Sequence, residues 1–352
     1  MMVTSRLSST AALLLFVALF GCGDAGDQQI VVTESRTLSE LFGTGRQLVL
    51  EENDSVLLAR IADIALASDG RIIVADMLEG NVKAYDSTGA LLSIVGRKGD
   101  GPGELRQPYG ISLGPHGQIA VADAGSSTSY SRFTASGEFV TRVPLIGYYG
   151  GDSFHWISDD SMIVGAIPNS GDTTEVVLHV DMSGRIVGRH LPIGLIPPSG
   201  MSAHPLWSSI QDVNLVVWRD TVFTTSALHN VLWTLDLATG QTSAREIHFQ
   251  GYTPPTAPPE NVQSPKDLGD WAGSFHLAQQ PIIAMGRLVV PFSIGRGGDR
   301  VVTHVVRDPD LGWLIVRGPE RIVAGNDSTL LTFRGEPGGL EVVIYESEAA
   351  RQ

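Results

Sequence analysis

Apolar and polar residues alternate along this chain in short runs, each ending at a tight-turn sequence. The clearest examples are IALASDGRIIVAD followed by VKAYDSTG at 64–76 and 82–89, and ISLGPHGQIAVAD followed by SRFTASG at 111–123 and 131–137. A period of two marks half-buried strands, and Asp-Gly or His-Gly between two runs marks a hairpin. The two units are offset by about 47 residues and each holds about four strands, the repeat of a propeller blade rather than of a solenoid coil or a sandwich. The predicted fold is all-β: a six-bladed β-propeller of four-stranded antiparallel blades, the last blade closed by the N-terminal strand.

Six such units fit the chain. Blade one runs from Ile61 to Gly96, blade two from Tyr109 to Pro144, blade three over 154–193, blade four over 212–249, blade five over 281–318 and blade six over 321–348. In blade four Arg219-Asp220 holds the turn filled by Asp69-Gly70 in blade one. Blade six stops one strand short. The alternating segment QQIVVTESRTL at 28–38 is expected to supply that strand and pair with the C-terminal one, since ring closure removes exposed sheet edges.

The N-terminus breaks the pattern. Residues 1–21 carry one charge, Arg6, then the apolar run AALLLFVALF, then a small residue before Cys22. This is a signal peptide, and its apolar run is too short to span a bilayer. Cys22 is the single cysteine of 352 residues, so no disulfide forms within the chain. Its place after Leu19-Phe20-Gly21 resembles the bacterial lipobox, which implies lipidation at Cys22 and attachment to a membrane of the cell envelope, periplasmic or outer-surface. The expected organisation is signal peptide 1–21, tether 22–27 and propeller 28–352.

Charge narrows the partners. The net charge of −14 becomes −15 when Arg6 is removed with the signal (−14 minus +1). An acidic chain without basic patches repels nucleic acid, and the lipid anchor is the expected membrane contact. With 40 glycines and 19 prolines the composition suits a fold turning every few residues. Each blade-to-blade interface then supplies its own thin core.

The stretch GRKGDGPGELRQPYGISLGPHGQIAVADAG at 96–125 resembles the linker and blade of NHL-repeat proteins and of bacterial six-bladed propeller lipoproteins. The motif departs where Met77 and Ala124 replace the usual Asn, and where Val82-Lys83 and Ser131-Arg132 replace Arg-Ile. The later blades keep the hydrophobic skeleton, with the D-x-x-G turn again at Asp181 to Gly184. The resemblance implies architecture far more than function, because such families bind proteins, peptides, sugars or RNA. GRKGDGPG lacks the G-K-[ST] ending and following helix of a phosphate loop, so it reads as a connector between blades.

Propeller loops joining strand four to the next strand one, and strand two to strand three, share a face. All the long insertions, 145–156, 195–209 and 250–275, fall on it, carrying Tyr148, Tyr149, Trp156, Trp207, Tyr252, Trp271 and Phe275. These aromatics either form a recognition rim or anchor their own loops. His155, His204, His229 and His276 are expected on the same face, with Asp63 and Asp212 on inner strands. They form no local metal-ligand spacing, and hydrogen-bonded lining residues are the simpler account. Arg296, in SIGRGGD, is the cation to test first for clamping a carboxylate or phosphate, with a solvated loop arginine as the simpler account.

The expected function is a lipid-anchored envelope module that binds a protein, peptide or glycan through this face. His155, Trp156, His204, Trp207, His229, Trp271 and Arg296 are its candidate binding residues. No cofactor, metal or catalytic residue is assigned, and the balance lies against an enzyme. The alternative is a metal-dependent lactonase or hydrolase with its site at the top of the central channel.

Overall fold

The computed structural model describes residues 29–53, 56–124, 128–168, 175–192, 212–256, 262, 264–296, 299–318, 320–334 and 341–347. Six successive, mostly antiparallel sheets follow one another around a ring. Their innermost strands are Ile61–Leu66, Pro108–Leu113, Tyr148–Ser158, Val213–Trp218, Ile282–Ala284 and Arg321–Gly325. The six-bladed, all-β architecture read from the alternation is the one observed.

Six hydrophobic clusters hold the ring, each spanning two neighbouring blades. Ile73 and Val82 of blade one meet Ile119 and Phe133 of blade two. Leu331 and Ile344 of blade six meet Ile64 and Val74 of blade one, which closes the circle. Both faces of each sheet are therefore buried, and the middle strands are buried at every position or nearly so, where a sandwich strand would alternate.

Closure is achieved differently from the expectation. Arg46–Leu48, not 28–38, pairs antiparallel with Glu341–Glu346 as the fourth strand of blade six. Gln29–Val32 instead lies parallel to Thr242–Phe249 on the outer edge of blade four, and Ser35–Thr37 lies parallel to Gly312–Arg317 on blade five. Alternation alone does not name a partner: Ile30 and Val32 bury the same face whichever edge they join. Between these strands and the closing one sits helix α1, Leu38–Phe42, begun by a capping box between Thr37 and Glu40. Leu38, Leu41 and Phe42 wedge into the cluster shared by blades five and six. The N-terminal segment thus straps three blades together.

Two blades also start earlier than predicted. Tyr148–Ser158 is a strand, so most of the 145–156 insertion belongs to blade three. Gly150 and Gly151, at φ 75° and 83°, allow a bulge there in which the register with the neighbouring strand shifts between Gly150 and Phe154. Blade five opens with Leu277–Ala278 ahead of Ile282–Ala284. The glycine-rich connector behaves as expected: Arg97–Lys98 pairs with Glu104–Leu105, and the Glu104 carboxylate accepts from Gly101 N–H and from Arg97.

Candidate functional site: the central channel and the loop face

The inner edge of each first strand has no strand beside it, so its backbone groups need other partners. A side chain from the preceding blade supplies one at every junction. Ile111 N–H donates to Asp63 Oδ2 at 2.7 Å, Trp156 N–H to Ser112 Oγ at 3.0 Å, and Leu215 N–H to Ser153 Oγ at 2.6 Å. Thr225 Oγ1 donates to Gln279 O at 2.9 Å, Ile322 N–H to His304 Nε2 at 3.0 Å, and Asn326 Nδ2 to Ala67 O at 3.1 Å. Ser153 is aimed by the blade-three bulge and also donates to Leu215 O. This ring of cross-blade bonds is invisible as a motif, because a different residue type serves each junction.

Inside the ring runs a central channel of about 510 Å³, lined by residues from all six innermost strands and the segments flanking them. Its polar lining includes Asp63, His155, Asn214, Gln279, Gln280 and Arg321. His155 is thus placed at the channel, and burial pushes its imidazole down to about 4, so it is neutral near pH 7. Asp63 spends one oxygen on Ile111 and the other on Ile64 N–H. It acts as a junction bond rather than as an open metal ligand. Asn214 is buried, and its Nδ2 has no hydrogen-bond partner among the described residues.

Arg321 opens the inner strand of blade six. Water reaches its side chain from the channel while protein surrounds it, and burial, followed by the nearby Arg300 charge, draws its pKa down to about 10. Arg300 donates to Gln279 Oε1 at 2.6 Å and Ser293 Oγ at 3.0 Å. Neither arginine forms an ion pair with a described residue. Reading RIVAG only as a strand hid Arg321; the available signal was a charge at the first position of an otherwise apolar inner strand.

The other candidates are dispersed. Trp156 is buried at the blade-two to blade-three junction close to the trimmed face, where its Nε1 donates to Ser158 O and Arg132 stacks 4.5 Å over its ring. It is therefore not a rim residue: the predicted loop is a strand, and Trp156 sits at its far end. Trp271 is buried on helix α2, Pro265–Ala272, in a cluster with Leu228, Val262, Leu268 and Phe275. It anchors its own loop, which decides between the two readings given to the aromatics there. Tyr148 and Phe275 are buried likewise.

His229 lies edge-on to Trp233 with its Nδ1 3.3 Å from Ser226 Oγ, and His276 Nδ1 accepts from Thr253 N–H at 3.0 Å. Arg296 is not an open clamp: its guanidinium pairs with Asp270 at 2.7 Å and donates to Lys266 O, fastening α2 to the blade-five loop. Cys22, His204 and Trp207 lie outside the described residues. Among the described residues no three of His, Cys, Asp and Glu come together in a way that would hold a metal ion.

A strapped, six-bladed propeller with a polar channel and one elaborated face is the class defined by these features. Residues 24–142, about a third of the chain, match a family model described as a six-bladed β-propeller, DUF5128. No curated protein matches the chain in sequence. Among solved structures, an exported-protein candidate from Bacteroides fragilis superposes with a TM-score of 0.63 at 11% identity, covering 90% of this chain and 99% of its own. A DUF4221 family member from Bacteroides vulgatus gives a TM-score of 0.60 at 11% identity, with 86% and 97% covered. At such identity these likenesses concern the fold.

Proposed function

We propose that the chain is a lipid-anchored protein of the bacterial cell envelope whose propeller presents a rigid binding face to a protein, peptide or glycan. The observation that carries this reading is the asymmetry between the two ends of the ring. One end is trimmed to tight turns such as Asp69-Gly70 and His116-Gly117. The other carries the loop holding α2, which has a hydrophobic cluster of its own and a capping box between Ser264 and Asp267. A loop stiffened in this way presents its surface without losing much conformational freedom on binding. Leu57, Leu78, Ile146 and Val301 lie in or beside segments of the same end and are half or more exposed, as residues meeting a partner would be.

The anchor rests on the sequence before and at Cys22, and among the described residues no helix is long and apolar enough to cross a membrane. Two measurements test the whole reading. Cys22→Ser should abolish palmitate incorporation and move the protein from the membrane to the soluble fraction. A photo-crosslinking residue at Lys266 should capture a discrete partner in intact cells, whereas one at Asp69 should not. Equal capture from both ends would remove the basis for a dedicated face.

A further inference from the structure

Two arginines, Arg321 and Arg300, come near each other at the channel in a chain of net charge −14, with the Asp63 carboxylate also within electrostatic reach of Arg321. The side chain of Arg321 lines the channel and makes no hydrogen bond or ion pair with any described residue. Arg300 stands near enough for its charge to act on Arg321, and it is held in place by Gln279, itself a lining residue, and by Ser293. Two guanidinium groups placed together repel, and each pairs best with a carboxylate or phosphate whose oxygens can accept from both edges. The charge of Asp63 acts on Arg321 as a partial counterweight, but its oxygens accept from Ile111 and Ile64 N–H rather than from either guanidinium, and one carboxylate does not balance two arginines.

Deeper in the channel, Asn214 is 5% exposed with Nδ2 unpartnered among the described residues, and neutral His155, on the neighbouring blade, lines the far end. Of the buried polar side-chain atoms without a partner among the described residues, the Asn214 amide is the one that belongs to a residue lining the channel, where a ligand's hydroxyl groups would meet it. A volume of about 510 Å³ holds a molecule of monosaccharide to disaccharide size and excludes a folded partner.

We propose that the central channel is a binding site for a small polar anion, a sugar-like body bearing a carboxylate or phosphate, with Arg321 gripping the anionic group at the mouth, Arg300 reinforcing it, Asn214 meeting the hydroxyl-bearing body and His155 lining the far end of the same channel. This rests on the binding-module reading and names a ligand class for it. The chain's overall acidity makes the channel a local exception that a diffusing anion meets once it reaches the mouth.

The test uses the full chain in detergent, with calorimetric titration and thermal melts at constant ionic strength. The probes are glucuronate, glucose 6-phosphate, inorganic phosphate, and uncharged glucose as control. Saturable binding of glucuronate or glucose 6-phosphate, with glucose at least tenfold weaker, is expected; which of the two binds identifies carboxylate or phosphate. Arg321→Met should fold with no loss of melting temperature and weaken binding at least tenfold, and Arg300→Gln should weaken it as well. Arg296→Met, on the surface pair, should bind as the wild type does. No binding by any anion, or equal binding by Arg321→Met, would overturn the proposal, as would a large drop in melting temperature of unliganded Arg321→Met, which would make the arginine structural. Crosslinking from Lys266 is independent of these outcomes, so failure here and failure of the binding-module reading are separable.

Discussion

Asp63 in blade one accepts the backbone N–H of Ile111 in blade two at 2.7 Å, and through this bond the side chain of one blade satisfies the exposed inner edge of the next. Removing the acceptor leaves a half-buried N–H without a partner. Asp63→Ala should therefore cost about 1–3 kcal/mol of stability. Ser153→Ala, which loses bonds to both Leu215 N–H and Leu215 O, should cost a similar amount. Urea unfolding of the two variants checks this; unchanged midpoints would mean that water replaces the ring of bonds.

Lys83 Nζ lies 3.0 Å from Asp76 Oδ2, with the two side chains 1% and 0% exposed. The carboxylate also accepts from Ala59, Arg60, Leu78 and Glu79 N–H, so the Asp ending IIVAD ties the incoming loop to its blade. Lys83→Met should destabilise by about 3 kcal/mol, the low end for a broken buried pair, because the four N–H donors remain. Burial opposes ionisation of Asp76, but the Lys83 bond and the backbone donors outweigh it and lower its pKa. That stabilisation is complete above the unfolded value of 3.8 and is lost as pH falls below it. Acid unfolding of Lys83→Met should accordingly begin at higher pH than that of the wild type.

Two buried histidines set a milder acid dependence. Burial draws His155 down to about 4 and, with the Arg321 charge, His304 to about 3, so both stay neutral in the fold. Below the unfolded value of 6.5 the unfolded chain takes up protons that the folded chain refuses. Stability should fall by up to about 1.4 kcal/mol per pH unit for each histidine as pH drops from 6.5 toward 4. For His304, eventual protonation also ends its acceptance of Ile322 N–H. The slope of urea midpoints between pH 7 and 5 should be shallower in His155→Gln; an identical slope would show that His155 titrates normally.

Gly89, at φ 91°, sits where the strap passes over blade one, and Glu51 N–H donates to its carbonyl at 2.8 Å. A Cβ added there would fall 2.0 Å from Val49 O. Gly89→Ala should lower stability by more than about 1 kcal/mol through the positive φ alone and lift the segment following the closing strand. Hydrogen exchange at Arg46–Leu48 and its partner strand should accelerate, while blade-three amides should not change.

Arg296→Ala should have little effect on stability, below about 1 kcal/mol, because its pair with Asp270 is exposed. The informative readout is local. Lys266 pairs with the same carboxylate at 2.7 Å but lies on α2 itself, so it braces the helix without replacing the Arg296 tether; α2 should loosen in the variant at low and high salt alike, and in the wild type at high salt alone. Proteolysis of the 250–276 loop at both ionic strengths would register the difference.

Alternation and turn residues were enough to establish the blades, their number and their order, because strand period and turn geometry are local properties of the chain. Of the three insertions expected on one end, 145–156 is mostly strand, 195–209 lies outside the described residues, and the described part of 250–275 carries α2. The lipid-anchor reading is local too, carried by the residues around Cys22. What tertiary structure decided was partnership. Ile30 and Val32 have the same alternation as a closing strand, yet they join blade four in parallel, and Arg46–Leu48 closes the ring. Trp156 and Trp271 looked like rim aromatics and are packing residues, since burial depends on what folds over a side chain and not on its type. Arg296 has the glycine-flanked setting of an open clamp but meets Asp270, while Arg321, inside an ordinary strand, faces a channel that exists only once six inner edges converge.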